Sequence, residues 1–136
     1  MAFVPKKFDS GKVLSLPVKA SEAVVKHTHT KFASGYLANG AAGDNEAEYI
    51  ALETITGGAS DGTVKCMVLP IDDVTEFEAL TATTPVQATH VGTSVDFTDA
   101  TKLDLTATTD KVFHIDSIKN ATDKIVRGHF NKPAIA

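Results

Sequence analysis

Apolar and polar residues alternate with period two along most of this chain, in short runs separated by Gly, Asn, Asp, Ser and Thr. That is the pattern of strands with one face in a core and the other in water. Along residues 12–18, Leu14, Leu16 and Val18 share one face, and Val13, Ser15 and Pro17 share the other. Pro17 has no N–H to give to a ladder, so this strand is expected at a sheet edge or ending there. Residues 46–56 are partly apolar on both faces, with Ile50 and Leu52 on one and Tyr49, Ala51 and Ile55 on the other, which predicts a central strand. Gly57-Gly58 and Asp61-Gly62 then bracket a turn, and Val64, Cys66 and Val68 alternate with Lys65 and Met67 on the way back. The two segments are expected to pair as an antiparallel hairpin with a long connection.

The C-terminal half repeats the logic. Val95 and Phe97 oppose Asp96 and Thr98; Leu103, Leu105 and Ala107 oppose Asp104 and Thr106; Phe113 and Ile115 oppose His114 and Asp116. The many threonines suit strands with solvated outer faces. One segment competes for helix: Thr75-Glu76-Phe77-Glu78 has capping-box spacing, yet the run stops by Thr83-Thr84-Pro85. Helix and strand are equally compatible with residues 75–82. The fold class that follows is all-β (mainly β), a small barrel or sandwich with extended terminal arms and at most one short helix. Residues 11–130 form the β-rich domain, flanked by an N-terminal arm (1–10) and a C-terminal tail (131–136) that each hold a proline and lack alternation.

Composition narrows the picture. A chain of 136 residues is long enough for a conventional core, and its single Cys66 sits in an apolar run, as a small buried hydrophobe does. Lys6-Lys7 is not followed by an apolar stretch, so the N-terminus does not read as a secretory signal and synthesis in a cytosol is expected. No apolar run approaches the roughly 20 residues of a spanning helix, so no membrane role is expected. The net charge of −4, with both signs scattered, does not suit nucleic acid.

Nucleophile elbows, phosphate loops and zinc motifs have fixed spacings, and none is present. The glycine-bearing residues 35–43 lack the lysine of a phosphate loop and read as a flexible loop. His27 and His29 are the best candidate ligand pair, since residues two apart on a strand share a side. No third ligand is placed beside them, because His90, His114 and His129 are isolated in sequence, and two solvated histidines are expected. Asp72-Asp73, Asp96, Asp99 and Asp104 lack the order of a calcium loop, and Asp44-Asn45-Glu46-Ala47-Glu48 reads as a polar strand entry. No serine–histidine–aspartate set is selected by any local motif. The expectation is a chain that is not an enzyme, with no catalytic residues, no cofactor and no metal.

Three stretches carry a resemblance. They are residues 5–18, beginning Pro5-Lys6-Lys7-Phe8-Asp9-Ser10-Gly11; residues 48–56, Glu48-Tyr49-Ile50-Ala51-Leu52-Glu53-Thr54-Ile55-Thr56; and the ending from Lys111-Val112-Phe113-His114-Ile115 to Gly128-His129-Phe130-Asn131-Lys132. In style they resemble the small decoration, or cement, proteins that coat the heads of tailed bacteriophages. The resemblance implies a β-rich structural protein without cofactors, often a homotrimer, on the exterior of the virion capsid where major capsid protein subunits meet. Other phage components (head–tail or fibre) and a carbohydrate-binding adhesive module are the alternatives; the absence of tryptophan, with only Tyr36 and Tyr49, disfavours the last. Within this reading the arm is the partner-binding segment, the alternative being that it folds back onto its own domain. Phe3, Val4 and Phe8 would fill grooves on the capsid while Lys6 and Lys7 meet its charges. Apolar residues on both faces of residues 49–55 predict a surface covered by a second copy, as in a trimer.

Overall fold

A computed structural model describes residues 2–132. The chain runs through β1 (Phe3–Pro5), a 3-10 turn (Ser10–Lys12), β2 (Leu14–Pro17), β3 (Ala23–Val24), β4 (His29–Ala33) and β5 (Tyr36–Asn39). It continues with β6 (Tyr49–Ala51), β7 (Ile55–Thr56), β8 (Lys65–Pro70) and β9 (Phe77–Leu80). A one-turn helix α1 (Gln87–His90) precedes β10 (Ser94–Phe97), β11 (Leu103–Asp104), β12 (Phe113–Asn120) and β13 (Ile125–Phe130). The protein is therefore mostly β with one short helix, as the period-two pattern predicts. No helix among the described residues is long and apolar enough to cross a membrane.

Two antiparallel sheets and a small ribbon make up the fold. The larger has the order β1-β9-β13-β12-β10-β11, the second β2-β8-β6-β4-β5, and β3 pairs with β7. The larger sheet curls into a partly closed barrel, because Leu103 of β11 bridges Thr81, just beyond β9. There the Ala82 N–H donates to the Leu103 carbonyl at 2.9 Å. Inside the curl, five buried phenylalanines (Phe3, Phe77, Phe97, Phe113 and Phe130) meet in edge-to-face and tilted pairs, with Phe77 and Phe113 edge to face at 4.9 and 5.0 Å from Phe130. Such geometry favours aromatic rings beyond their buried area.

The second sheet has a core on each side, as the two-faced segment predicts. Ile50, with Leu52 packed beside it, joins the phenylalanine cluster. Ala51, with Tyr49 and Ile55, joins a second cluster of Val18, Val24, Leu37, Cys66 and Val68. The hairpin partner is correct, since β6 pairs with β8 in the register Ile50↔Leu69. β2 is an edge strand that ends at Pro17, as its missing donor requires.

Several expectations are corrected. The expected arm of residues 1–10 is not outside the core over its first part: β1 pairs with β9, and Ala2 and Phe3 are buried. Three residues are too few to display alternation, and Pro5 is tolerated because the strand lies at the sheet edge. Residues 77–80 are strand rather than helix, and the Thr75 hydroxyl bonds Asp72 instead of capping a helix. Residues 35–43 are not a free loop, since they include β5, with Leu37 and Ala38 buried. Of the expected tail, Asn131 is fastened to the barrel by bonds to the Ser94 hydroxyl and the Lys111 carbonyl, and residues 133–136 lie outside the described residues. The apolar second face of residues 49–55 is covered in part by Val18, Val24 and Leu37 of the same chain: Ala51 is buried there, while Tyr49 and Ile55 stay half-buried.

Candidate partner-binding site

Where β1 ends, the chain folds over the loop that leads into β9, and an open groove of about 1000 Å³ lies between them. Each wall is built by local hydrogen bonds. On one side the Lys6 N–H donates to the Glu76 carbonyl at 2.9 Å, and Asp9 caps the 3-10 turn by accepting the Gly11 N–H at 2.8 Å. On the other, Asp72 accepts the N–H groups of Val74 and Thr75 at 3.0 and 2.8 Å, an Asx turn of the kind short carboxylates favour. Burial pushes the Asp72 carboxyl up, but the Thr75 and Val74 bonds and the Lys12 charge outweigh it and hold it below its ordinary value. Lys12 reaches the same carboxylate at 3.8 Å.

Two apolar side chains stand open in this groove: Phe8 is 41% exposed and Val74 79%. Lys7 also lines it, and makes no ion pair with the described residues. The groove is thus apolar at two points and bounded by charges of both signs, an anatomy suited to a protein surface.

Behind the groove, Lys6 turns to a charge cluster. Glu78 of β9, its side chain only 5% exposed, accepts from Lys6 at 3.1 Å, Lys119 at 2.9 Å and Arg127 at 3.2 Å. The Lys119 bond, followed by those of Lys6 and Arg127, overcomes burial and holds the Glu78 carboxyl down at about 2. The cluster ties together β1, β9, β12 and β13.

The five residues assigned to partner binding therefore divide. Lys7 and Phe8 face the groove, as does part of Lys6. Val4 is half-buried opposite Glu78 in the β1–β9 register. Phe3 is corrected: it is fully buried among the phenylalanines and meets no partner. Val74, 66 residues further along the chain than Phe8, had no signal in sequence that joined it to the arm.

The histidine pair is also corrected. His27 adopts a positive φ of 69°, so the two side chains do not alternate as in a strand. His29 is fully buried rather than solvated, stacked on Phe97 with ring centroids 3.6 Å apart. Among the described residues neither of its ring nitrogens makes a hydrogen bond of good geometry, the Asp99 backbone offering only a weak one. Burial drives its pKa down to about 4, against the weaker opposing pull of Asp44. Gly40 passes so close that a Cβ there would lie 1.9 Å from the imidazole.

The remaining candidates are structural. Asp96 accepts three backbone N–H groups from residues 109–111, and Asp99 and Asp104 close turns onto Thr101 and Thr106. Asp44 is bound by Lys31 at 2.8 Å and by the Ala41 N–H. Burial raises the Cys66 thiol to about 11, which keeps it protonated and unreactive. No known family model, curated protein or solved structure matches this chain.

Proposed function

We propose that this chain is a structural virion protein that binds the outer surface of a phage capsid and stabilises the shell by bridging major capsid protein subunits. The reading comes from the resemblance of residues 5–18, 48–56 and 111–132 to capsid decoration proteins. One structural observation supports it: a groove beside β1 presents Phe8 and Val74 uncovered, next to Lys7. Phe8 sits on the short connection between β1 and the 3-10 turn, which the Lys6–Glu76 and Asp9–Gly11 hydrogen bonds fasten at both ends, so less entropy is lost on docking than from a free tail. The protein would be made in a host cytoplasm and act on the capsid exterior, with no cofactor and no enzymatic step. A homotrimer belongs to the same proposal. It rests mainly on the resemblance, because the apolar face that suggests it is covered in part within the chain.

Mixing the purified protein with candidate capsids, before and after shell expansion, tests the reading by co-sedimentation. Saturable binding to expanded shells is expected, weakened about tenfold or more by Phe8→Ala with Val74→Asp, on the scale of a hot-spot loss. Binding to no shell would overturn the function. Binding that ignores both substitutions would remove the groove from it.

A further inference from the structure

His114, His129 and Asp116 are scattered in sequence, yet they converge on the outer face of the β12–β13 pair. His114 and His129 are direct cross-strand partners, so their side chains leave the sheet on one side. Their ring centroids lie 5.3 Å apart. Asp116 stands at a register shift between Ile115 and Ser117, a β-bulge, and bulges re-aim a side chain. Its two carboxylate oxygens face one nitrogen of each ring, His129 Nδ1 at 3.3 Å and His114 Nε2 at 3.8 Å.

We propose that these three side chains form a binding site for a zinc-like divalent cation. Imidazole nitrogen and carboxylate oxygen are the borderline donors such an ion prefers. Around a tetrahedral zinc with bonds of ~2.0–2.1 Å, neighbouring donor atoms lie about 3.3 Å apart and two imidazole centroids about 5 Å apart. The histidine spacing and the His129–Asp116 distance match those values. The His114–Asp116 distance is about half an ångström longer and runs to the other carboxylate oxygen, and among the described residues no group of three His, Cys, Asp or Glu side chains is already placed to hold an ion. Asp116 is half-exposed, free to swing the remaining distance as the ion arrives, and solvent supplies the fourth ligand.

A supporting shell is already in place. The Ser94 hydroxyl engages His114 Nδ1 at 3.0 Å, and Asn131 Nδ2 in turn donates to that hydroxyl at 3.0 Å. Ser94 and His114 are cross-strand partners in β10 and β12, so the buttress is part of the sheet. With Nδ1 occupied, the nitrogen left to His114 is Nε2, the one aimed at Asp116. Metal-bound histidines are commonly oriented through the second ring nitrogen in this way. A bound ion would clasp the hairpin across its bulge, and it revises the expectation of a chain with no metal site.

The test uses the full chain, stripped with chelator and titrated with zinc chloride by calorimetry, with the histidine ring resonances followed by NMR. One equivalent is expected, with His114 and His129 signals moving while those of His27 and His90 stay. His129→Ala is expected to weaken binding by tenfold or more, and Asp116→Asn and Ser94→Ala by less. His129 and Asp116 are partly exposed, so both variants should keep the metal-free melting temperature of the parent. Absence of binding, or binding that survives His129→Ala unchanged, would overturn the site.

Discussion

The most unusual residue in the fold is His29, whose two ring nitrogens lie buried between Phe97, Phe3 and Gly40 with no hydrogen bond of good geometry among the described residues. An unsatisfied buried polar atom costs about 1–3 kcal/mol, so an apolar side chain that fills the same space should be better tolerated than the native one. His29→Leu is expected to raise stability by roughly that amount at pH 8, read as a higher midpoint in urea with an unchanged slope. A lower midpoint would mean that the Phe97 stack matters more than the desolvated nitrogens. Gly40 sets the opposite expectation. Its neighbour on that side is the imidazole itself, so Gly40→Ala must displace the ring and should destabilise by about 1–3 kcal/mol, as overpacking does. The double variant Gly40→Ala with His29→Ala should recover most of that loss, since removing the ring removes the clash. Equal losses in the single and double variants would place the strain elsewhere.

At the level of elements, β1 shows what the sequence can and cannot reveal. Its Phe3 is buried in the aromatic core against Phe97, Phe113 and Phe130, while Phe8, five residues on, is open to solvent. Phe3→Ala is therefore expected to cost about 3–5 kcal/mol, and Phe8→Ala to lie within about 0.5 kcal/mol of the parent. Thermal denaturation of both variants checks this, and similar losses would mean that Phe8 is packed as well. Long alternating strands were legible beforehand, since period two assigns faces as soon as four or five residues are available. The alternation around Ile50 and Ala51 assigns their two faces correctly, but the single strand it predicts over residues 46–56 is split, with only Tyr49–Ala51 in the sheet and Ile55–Thr56 paired elsewhere as β7. Strands of two or three residues, such as β1, β3, β7 and β11, offer no period, and α1 spans a single turn without a side-chain cap. The candidate site was half legible: Lys7 and Phe8 carried their signal locally. Val74, Glu78 and the His114–His129 pair did not, because only the sheet register brings them to their partners.

For the whole molecule, the two strongest perturbations both act against acid, in different pH windows. His29 has its folded pKa lowered from 6.5 to about 4. Below 6.5 the unfolded chain takes up a proton that the native one refuses, so its stability is intact above that pH and falls as pH drops towards 4. The gap corresponds to on the order of 3 kcal/mol. Glu78 has its folded pKa lowered from 4.5 to about 2. Its three cations bind the ionised form, so the stabilisation they give is complete above 4.5 and lost as pH falls through about 2. Asp72 and Asp99, also lowered, act in the same direction as Glu78. Urea unfolding across pH 8 to 2 should then show a plateau, a first decline between about 6.5 and 4, and a second below it. His29→Leu is expected to remove most of the first decline, leaving the part due to His27, whose pKa burial and the Lys26 charge also lower, and to leave the second. Glu78→Gln should lower the plateau, because the carboxylate that joins β1, β9, β12 and β13 is lost. Its penalty should shrink towards zero as pH approaches 2, where the parent carboxylate is itself protonated. The two variants thus separate the contributions by pH without changing the fold. A first decline that persists undiminished in His29→Leu would assign it to another histidine, and a Glu78→Gln penalty that stays constant down to pH 2 would mean that the cluster holds the strands by packing rather than by charge.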